Sequence, residues 1–284
     1  MSVNFKLEAL RMQIRALGGH NLETSEDRRI LPFGDKHLNF PLPKGGLQLG
    51  ALHEFTADGL EAELAPAVTA FAAMVASNIL HSSQRGFVLW ASSRVDCYSP
   101  GLARFGLDPA RVIWVECRKD SEVLGVMEEA LHSRALAAVF GEAGGISLKT
   151  GRKLDAAARL TGCTALLLRR QLFKPPKASE GPSGAAATRW RVRAAPSKTL
   201  RRPTPLSSIG ERDGEPGLGP PRWQLDLEYC RNGRTASWIV EASDGADSKN
   251  HKASHVRVVA ELRDDPRTLE EAPARKTGRT ARAS

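Results

Sequence analysis

The sequence predicts an α/β fold: a parallel sheet flanked by helices and extended by antiparallel strands near its C-terminal end. Two observations carry that prediction. Between residues 47 and 168, short apolar runs alternate with stretches of helical periodicity, and continuous apolar strands separated by helices indicate a parallel sheet covered on both faces. Beyond residue 222 the pattern becomes a polar and apolar alternation on either side of Asn232-Gly233, the mark of an antiparallel hairpin.

Each element has its own signal. Residues 5–17 set Leu7, Leu10, Ile14 and Leu17 along one helix face, with Gly18-Gly19 as the stop; such a stripe docks either on its own core or on another subunit. Leu47–Phe55 reads as a strand. Leu60–Leu80 reads as a helix with Leu64, Val68, Phe71, Val75 and Ile79 on one face, and Pro66 is tolerable only near its first turn. Phe87–Ala91, Val112–Cys117, Leu136–Phe140 and Thr164–Leu168 are predicted strands. Gly101–Phe105, Asp120–Ser133 with Asp120 as its cap, and Lys149–Leu160 are predicted helices.

Composition shifts after Gln171. Nine of the 17 prolines lie between Phe173 and Pro221, so most of that segment is expected to pack no core, apart from the strand-like Thr188–Arg193. Trp223, Leu225, Leu227 and Tyr229 then alternate with polar residues, Asn232-Gly233 predicts a type I′ turn, Thr235–Ala242 returns, and Val256–Leu262 forms a last strand. The expected organisation is an N-terminal helix (1–20), an α/β core (21–171), a basic Pro/Arg-rich segment (172–222), a β-hairpin with one further strand (223–263) and a basic tail (264–284).

With 284 residues, 41% apolar and 26% charged, the chain can bury a full core. No apolar run approaches the roughly 18 residues of a membrane helix, and no signal peptide is evident, so a cytoplasmic protein without membrane contact is expected. Cys97, Cys117, Cys163 and Cys230 are far apart with no C-x-x-C pair, which predicts reduced, buried thiols. The net charge of +9 is uneven: residues 1–171 carry 20 Lys and Arg against 18 Asp and Glu, while the remainder carries 21 against 14. A basic C-terminal part suits nucleic acid or an acidic partner, or merely solvates a mobile segment.

Thr56–Leu64, between a strand and a long helix, is where a phosphate loop would lie. It has no lysine and carries Asp58, Glu61 and Glu63, which would repel an anion that backbone N–H groups, a lysine and a Ser/Thr hydroxyl normally hold. The preceding Leu38–Phe55, with Gly45, Gly46, Gly50 and Glu54, resembles the entry to a RecA-type ATPase core, although Asn39 replaces the usual aspartate. Gln171 matches the glutamine that ends the fifth core strand of that family. The resemblance spans roughly residues 30–171. Two departures stand out: the phosphate-loop residues are absent, and the strand predicted at Leu136–Phe140 is followed by Gly141 where an aspartate would hold magnesium, with Glu142 one place too late. No ATP hydrolysis, nucleotide cofactor or metal is therefore expected.

A degenerate core joined to a Pro/Arg-rich segment and a Trp-started hairpin resembles the ImuA family, over most of the chain. That resemblance implies a non-catalytic accessory of the SOS-induced translesion-synthesis mutasome, recruited to the nucleoid on DNA damage. Its implied partners are an ImuB-like relative of the Y-family polymerases, an error-prone C-family DNA polymerase, and RecA or DNA. The alternatives are a SulA-like division inhibitor or a DNA-dependent RecA-type ATPase.

The basic candidates are Arg169, Arg170, Arg189, Trp190, Arg191, Arg193, Lys198, Arg201 and Arg202: cations around an aromatic able to stack on a base, or charges that only solvate the segment. Trp223, Leu225 and Trp238 of the hairpin are candidate partner contacts. His251 and His255 have no third ligand nearby for a metal. Ser147, His132 and Asp155 lack any signature that would make them a triad.

Overall fold

The computed structural model describes residues 30–57, 61–83, 85–94, 96–170, 184–201, 216–242 and 256–262. The predicted helix at 5–17, the Asp58–Leu60 loop, His251, His255 and the tail at 264–284 lie outside the described residues. Strand β1 (Ile30–Leu31) pairs antiparallel with β2 (Leu47–Gln48). Between them α1 (Lys36–Asn39) is capped by Asp35, whose carboxylate accepts from the His37 N–H at 2.8 Å. The single strand expected over Leu47–Phe55 is two strands. Gly50, at φ 64°, turns the chain where a Cβ would lie 3.1 Å from the Gly162 Cα, and β3 (Leu52–Ala57) starts after it.

Helix α2 (Glu61–Ser82) follows, with Pro66 inside its second turn. Then come β4 (Phe87–Ser92), α3 (Ser99–Leu102), β5 (Val112–Glu116), α4 (Asp120–Ala130), β6 (Leu136–Ala143), α5 (Leu148–Thr161) and β7 (Thr164–Arg169). β8 (Thr188–Ala195) precedes a small ribbon of β9 (Thr199–Arg201) and β10 (Pro216–Leu218). The chain closes with β11 (Arg222–Cys230), β12 (Ala236–Ala242) and β13 (Val256–Leu262). Among the described residues no helix is long and apolar enough to cross a membrane.

One nine-stranded sheet organises all of this, in the order β13-β12-β11-β8-β3-β7-β6-β4-β5. The strands from β8 to β5 in that order are parallel, and β11, β12 and β13 continue the sheet antiparallel. The strand expected at Thr188–Arg193, in a segment otherwise without a core, runs to Ala195 and lies beside β3 in the middle of the sheet. The C-terminal hairpin extends that same sheet. Its turn is not type I′: a five-residue connection is closed by the Gly233 N–H on the Cys230 carbonyl, with only Asn232 left-handed at φ 61°. Gly233 is required for close approach, because a Cβ there would lie 2.5 Å from the Pro41 oxygen.

The two faces have separate cores. On one, α2 packs Phe71 against Phe33, Phe55, Trp190 and Trp223, with ring centroids 5.8–6.4 Å apart, and Trp190 continues to Trp238 at 6.3 Å. On the other, Met127, Leu131, Leu154 and Ala158 of the α4 and α5 layer cover Leu52, Val139, Ala165 and Leu167. Trp190, Trp223, Leu225 and Trp238 are 0–3% exposed. The hairpin residues expected as partner contacts are therefore core, because the alternation that makes them apolar on one side turns that side toward α2.

His53 is buried beneath this aromatic cluster. Its Nδ1 faces the Thr188 hydroxyl at 2.7 Å and its Nε2 the Gln48 carbonyl at 2.8 Å. The Trp190 indole N–H also donates to Thr188. A carbonyl only accepts, so Nε2 carries the proton and Nδ1 accepts from the hydroxyl. Burial pushes the His53 pKa down from 6.5 to about 4, against the opposing pull of the Gln48 carbonyl and the Asp155 charge.

Two predictions follow from the sheet and its histidine. Removing residues 222–284 strips three strands and uncovers Trp190, so that variant should be recovered insoluble or without a cooperative unfolding transition. Because His53 binds its proton more weakly folded than unfolded, stability present above pH 6.5 should fall by about 3 kcal/mol as pH drops toward 4. His53→Gln, which can keep both hydrogen bonds without titrating, should flatten that slope in urea unfolding.

Candidate functional site

Doubly wound sheets bind ligands beyond the carboxyl ends of their strands, and here that edge is dominated by ion pairs. β6 does not stop at Phe140 but runs to Ala143, with Glu142 paired in register to Ser92 and Leu168. Strand alternation directs Phe140 and Glu142 to the α2 face and Gly141 to the α4 face. A Cβ at Gly141 would sit 2.1 Å from the Met127 sulfur. An aspartate there would thus collide with α4 and point away from α2. The acid at the strand end on the α2 side is Glu142, not a residue displaced beyond it.

Glu142 is 3% exposed and accepts from the Trp90 indole at 2.6 Å, the Ser92 hydroxyl at 3.1 Å and Arg170 at 2.7 Å. Arg170 also grips both oxygens of Asp96, at 2.8 and 2.7 Å. Burial alone would lower the Arg170 pKa, but the bonds to Asp96 and Glu142 raise it above its ordinary value. The same hydrogen bond holds the Asp96 carboxyl below its usual range. Cys97, beside this pair, has its thiol pushed up to about 12 by burial and by the Glu142 and Asp96 charges, so it is no nucleophile at neutral pH. Asp120 contributes at the same edge. It does not cap α4, whose N-cap is Lys119; its carboxylate instead accepts from the Gly144 N–H at 2.7 Å and pins the loop after β6.

The basic candidates divide by strand parity. Arg169 lies on the α4 and α5 face, where burial lowers its pKa and Glu54 opposes that shift. Arg189 is 3.6 Å from the Glu54 carboxylate, Arg191 pairs with Glu228, and Arg193 is 2.7 Å from Asp226. Arg222 and Arg257 converge on Glu241 at 2.8 and 3.0 Å. Two of these pairs, Arg191 with Glu228 and Arg193 with Asp226, line a shallow concavity of about 480 Å³. Trp190 is on the opposite face, fully buried, so it offers no ring to a base. Lys198 is exposed. Arg201 lies in β9, and Arg202 is outside the described residues. The triad on paper does not assemble: Ser147 caps α5 by accepting from the Thr150 N–H, and buried Asp155 accepts from the Leu52 N–H.

Sequence reasoning missed Trp90 and Ser92 as partners of Glu142, and Asp96 as the second carboxylate held by Arg170. The available signal was the two-residue spacing of Trp90 and Ser92, which puts them on one strand face.

No family model matches the chain. It is 35% identical over 239 residues, 83% of its length, to Protein ImuA of two strains of Caulobacter vibrioides, covering 91% of that protein. The chain belongs to the ImuA family. Within this ImuA chain the carboxyl edge holds buried charges whose balance depends on Arg170. Arg170→Ala would leave Glu142 buried without its cation, at a cost of about 3–5 kcal/mol. Urea unfolding should show that loss, and the double variant with Glu142→Gln should recover a large part of it; simple additivity would mean the two do not act as a pair.

Proposed function

We propose that the chain is a non-catalytic accessory protein of the translesion-synthesis mutasome, acting in the DNA-damage response. Its partners in this reading are an ImuB-like relative of the Y-family polymerases and an error-prone C-family DNA polymerase. Membership of the ImuA family supports the setting. The strand order, with the glycine-marked turn before β3, supports a RecA-type frame retained for its surfaces. The observation that carries the non-catalytic part is Glu142: the one carboxylate on the α2 side of the β6 end is taken up by Arg170, Trp90 and Ser92. The Arg170 guanidinium lies 2.7 Å from it, and a metal at this carboxylate would have to displace that cation. The lysine-free, acidic sequence from Thr56 to Leu64 points the same way.

The reading assigns partner recognition to protein surfaces rather than to the arginine ladder. A phosphate reaching Arg189, Arg191 or Arg193 would have to displace Glu54, Glu228 or Asp226.

The test is co-expression of the full chain with the two proposed partners, followed by purification through one of them. Recovery of the chain without added nucleotide, and restoration of damage-induced mutation in a deletion strain, are expected. Single-stranded DNA should elicit no phosphate release above that of a mock preparation. Recovery that requires ATP, or DNA-stimulated release that disappears with Glu142→Gln, would overturn the non-catalytic assignment.

A further inference from the structure

Helix α5 turns one face to solvent. Its inner face is core, through Leu154, Ala157 and Ala158. Its outer face carries Leu148 and Leu160, 47% and 66% exposed, with Arg152 and Ala156 on the same ridge between them. Lys149 and Lys153 flank that ridge, and an open concavity of about 590 Å³ lies against Leu148, Lys149, Arg152, Lys153 and Ala156. The ridge is about 18 Å long at 1.5 Å per residue.

The charges are placed against the local physics. α5 has no acid in its first turn, yet Lys149 and Arg152 sit near the positive end of its dipole, where cations destabilise a helix. Lys153 is offset by Glu128 at 3.3 Å, and Arg159 by Asp155 at 2.6 Å. Lys149 and Arg152 make no ion pair among the described residues. Two leucines exposed at the ends of the same ridge add a cost in apolar surface left in water. An occupant with acids in the middle and apolar groups at its ends would relieve both costs at once.

We propose that this face of α5 docks an acidic, leucine-bearing protein segment. A nucleic-acid backbone is the poorer fit, because phosphates satisfy the cations but gain nothing from two leucines, and the ridge has no aromatic ring for a base. This inference goes beyond the mutasome reading and does not depend on which protein supplies the segment.

Fluorescence anisotropy on the full chain provides the test, with three labelled probes. One is a synthetic peptide with a glutamate-rich centre and leucines toward its ends, the second has those leucines replaced by serine, and the third is oligothymidylate. The leucine peptide should bind most tightly. Lys149→Glu with Arg152→Glu, and separately Leu148→Ser with Leu160→Ser, should each weaken it about tenfold, or ~1.4 kcal/mol, while the folded state persists: the glutamates suit the helix N-terminus and should not lower the urea midpoint, and the serines replace exposed side chains. The proposal is overturned by oligothymidylate binding more tightly than the peptide. Peptide affinity indifferent to either double substitution, or no saturable binding up to about 1 mM, would overturn it equally.

Discussion

The parallel pairing of β8 with β3 is the constraint on which the rest of the molecule depends. β3 lies where the α/β half of the sheet meets the antiparallel wing, and β8 bridges them: parallel to β3 on one side and antiparallel to β11 on the other. That pairing delivers Trp190 to Phe71 and Phe33, and through Trp190 it seats Trp238 of the wing. The cluster joins elements more than 150 residues apart in sequence, so its formation cannot precede closure of the long connection between β7 and β8. Without the seam, three C-terminal strands would lose their template and α2 would lose the packing of Phe71 on Trp190 and Trp223.

The same alternation that buries Trp190 settles where the charges go. Arg189, Arg191 and Arg193 point away from the tryptophan and meet Glu54, Glu228 and Asp226 across the strands, so a row of cations becomes a row of neutral pairs. At the end of β7, Arg169 and Arg170 are adjacent and therefore point to opposite faces. Arg169 lies in the field of Glu54 on one side, and Arg170 bonds Glu142 on the other. Two consecutive arginines thus compensate a buried acid on each face of the carboxyl edge. Each acid is expensive to bury unless paired, which makes the pairs structurally obligatory.

Much of the fold was legible in the sequence. The strand at Val256–Leu262 matches end for end, and α2, β4, β7 and α5 fall within two residues of their expected bounds, because continuous apolar runs and 3.6-residue periodicity leave few alternatives. The misses share one cause. The strand predicted over Leu136–Phe140 continues past Gly141 because α4 needs a residue without a side chain there and Glu142 meets Arg170, a partner at the end of β7. Arg-Trp-Arg around Trp190 looks like a nucleic-acid motif as a string, but within a strand it is an apolar residue facing one way and two cations facing the other. Trp223 and Trp238 advertised an apolar face whose partner, α2, is distant in sequence and invisible to local pattern. The site was legible only as a loss of residues; that Arg170 compensates Glu142 is a tertiary fact.

Among the described residues the acids of the carboxyl edge are satisfied internally, so in the proposed non-catalytic reading that edge has little to offer a small anionic ligand or a metal. Recognition must then use what the sheet leaves outside, and the energetics say where. The arginine ladder is neutralised within its own face, and the hairpin's apolar side is consumed by α2. The outer face of α5 keeps both uncompensated cations and exposed leucines, two costs that a solitary globular domain has no reason to carry together. Surfaces that retain unfavourable charge and apolar area at once are those where binding can return free energy, so among the described elements α5 is the one best placed to carry the recognition proposed above.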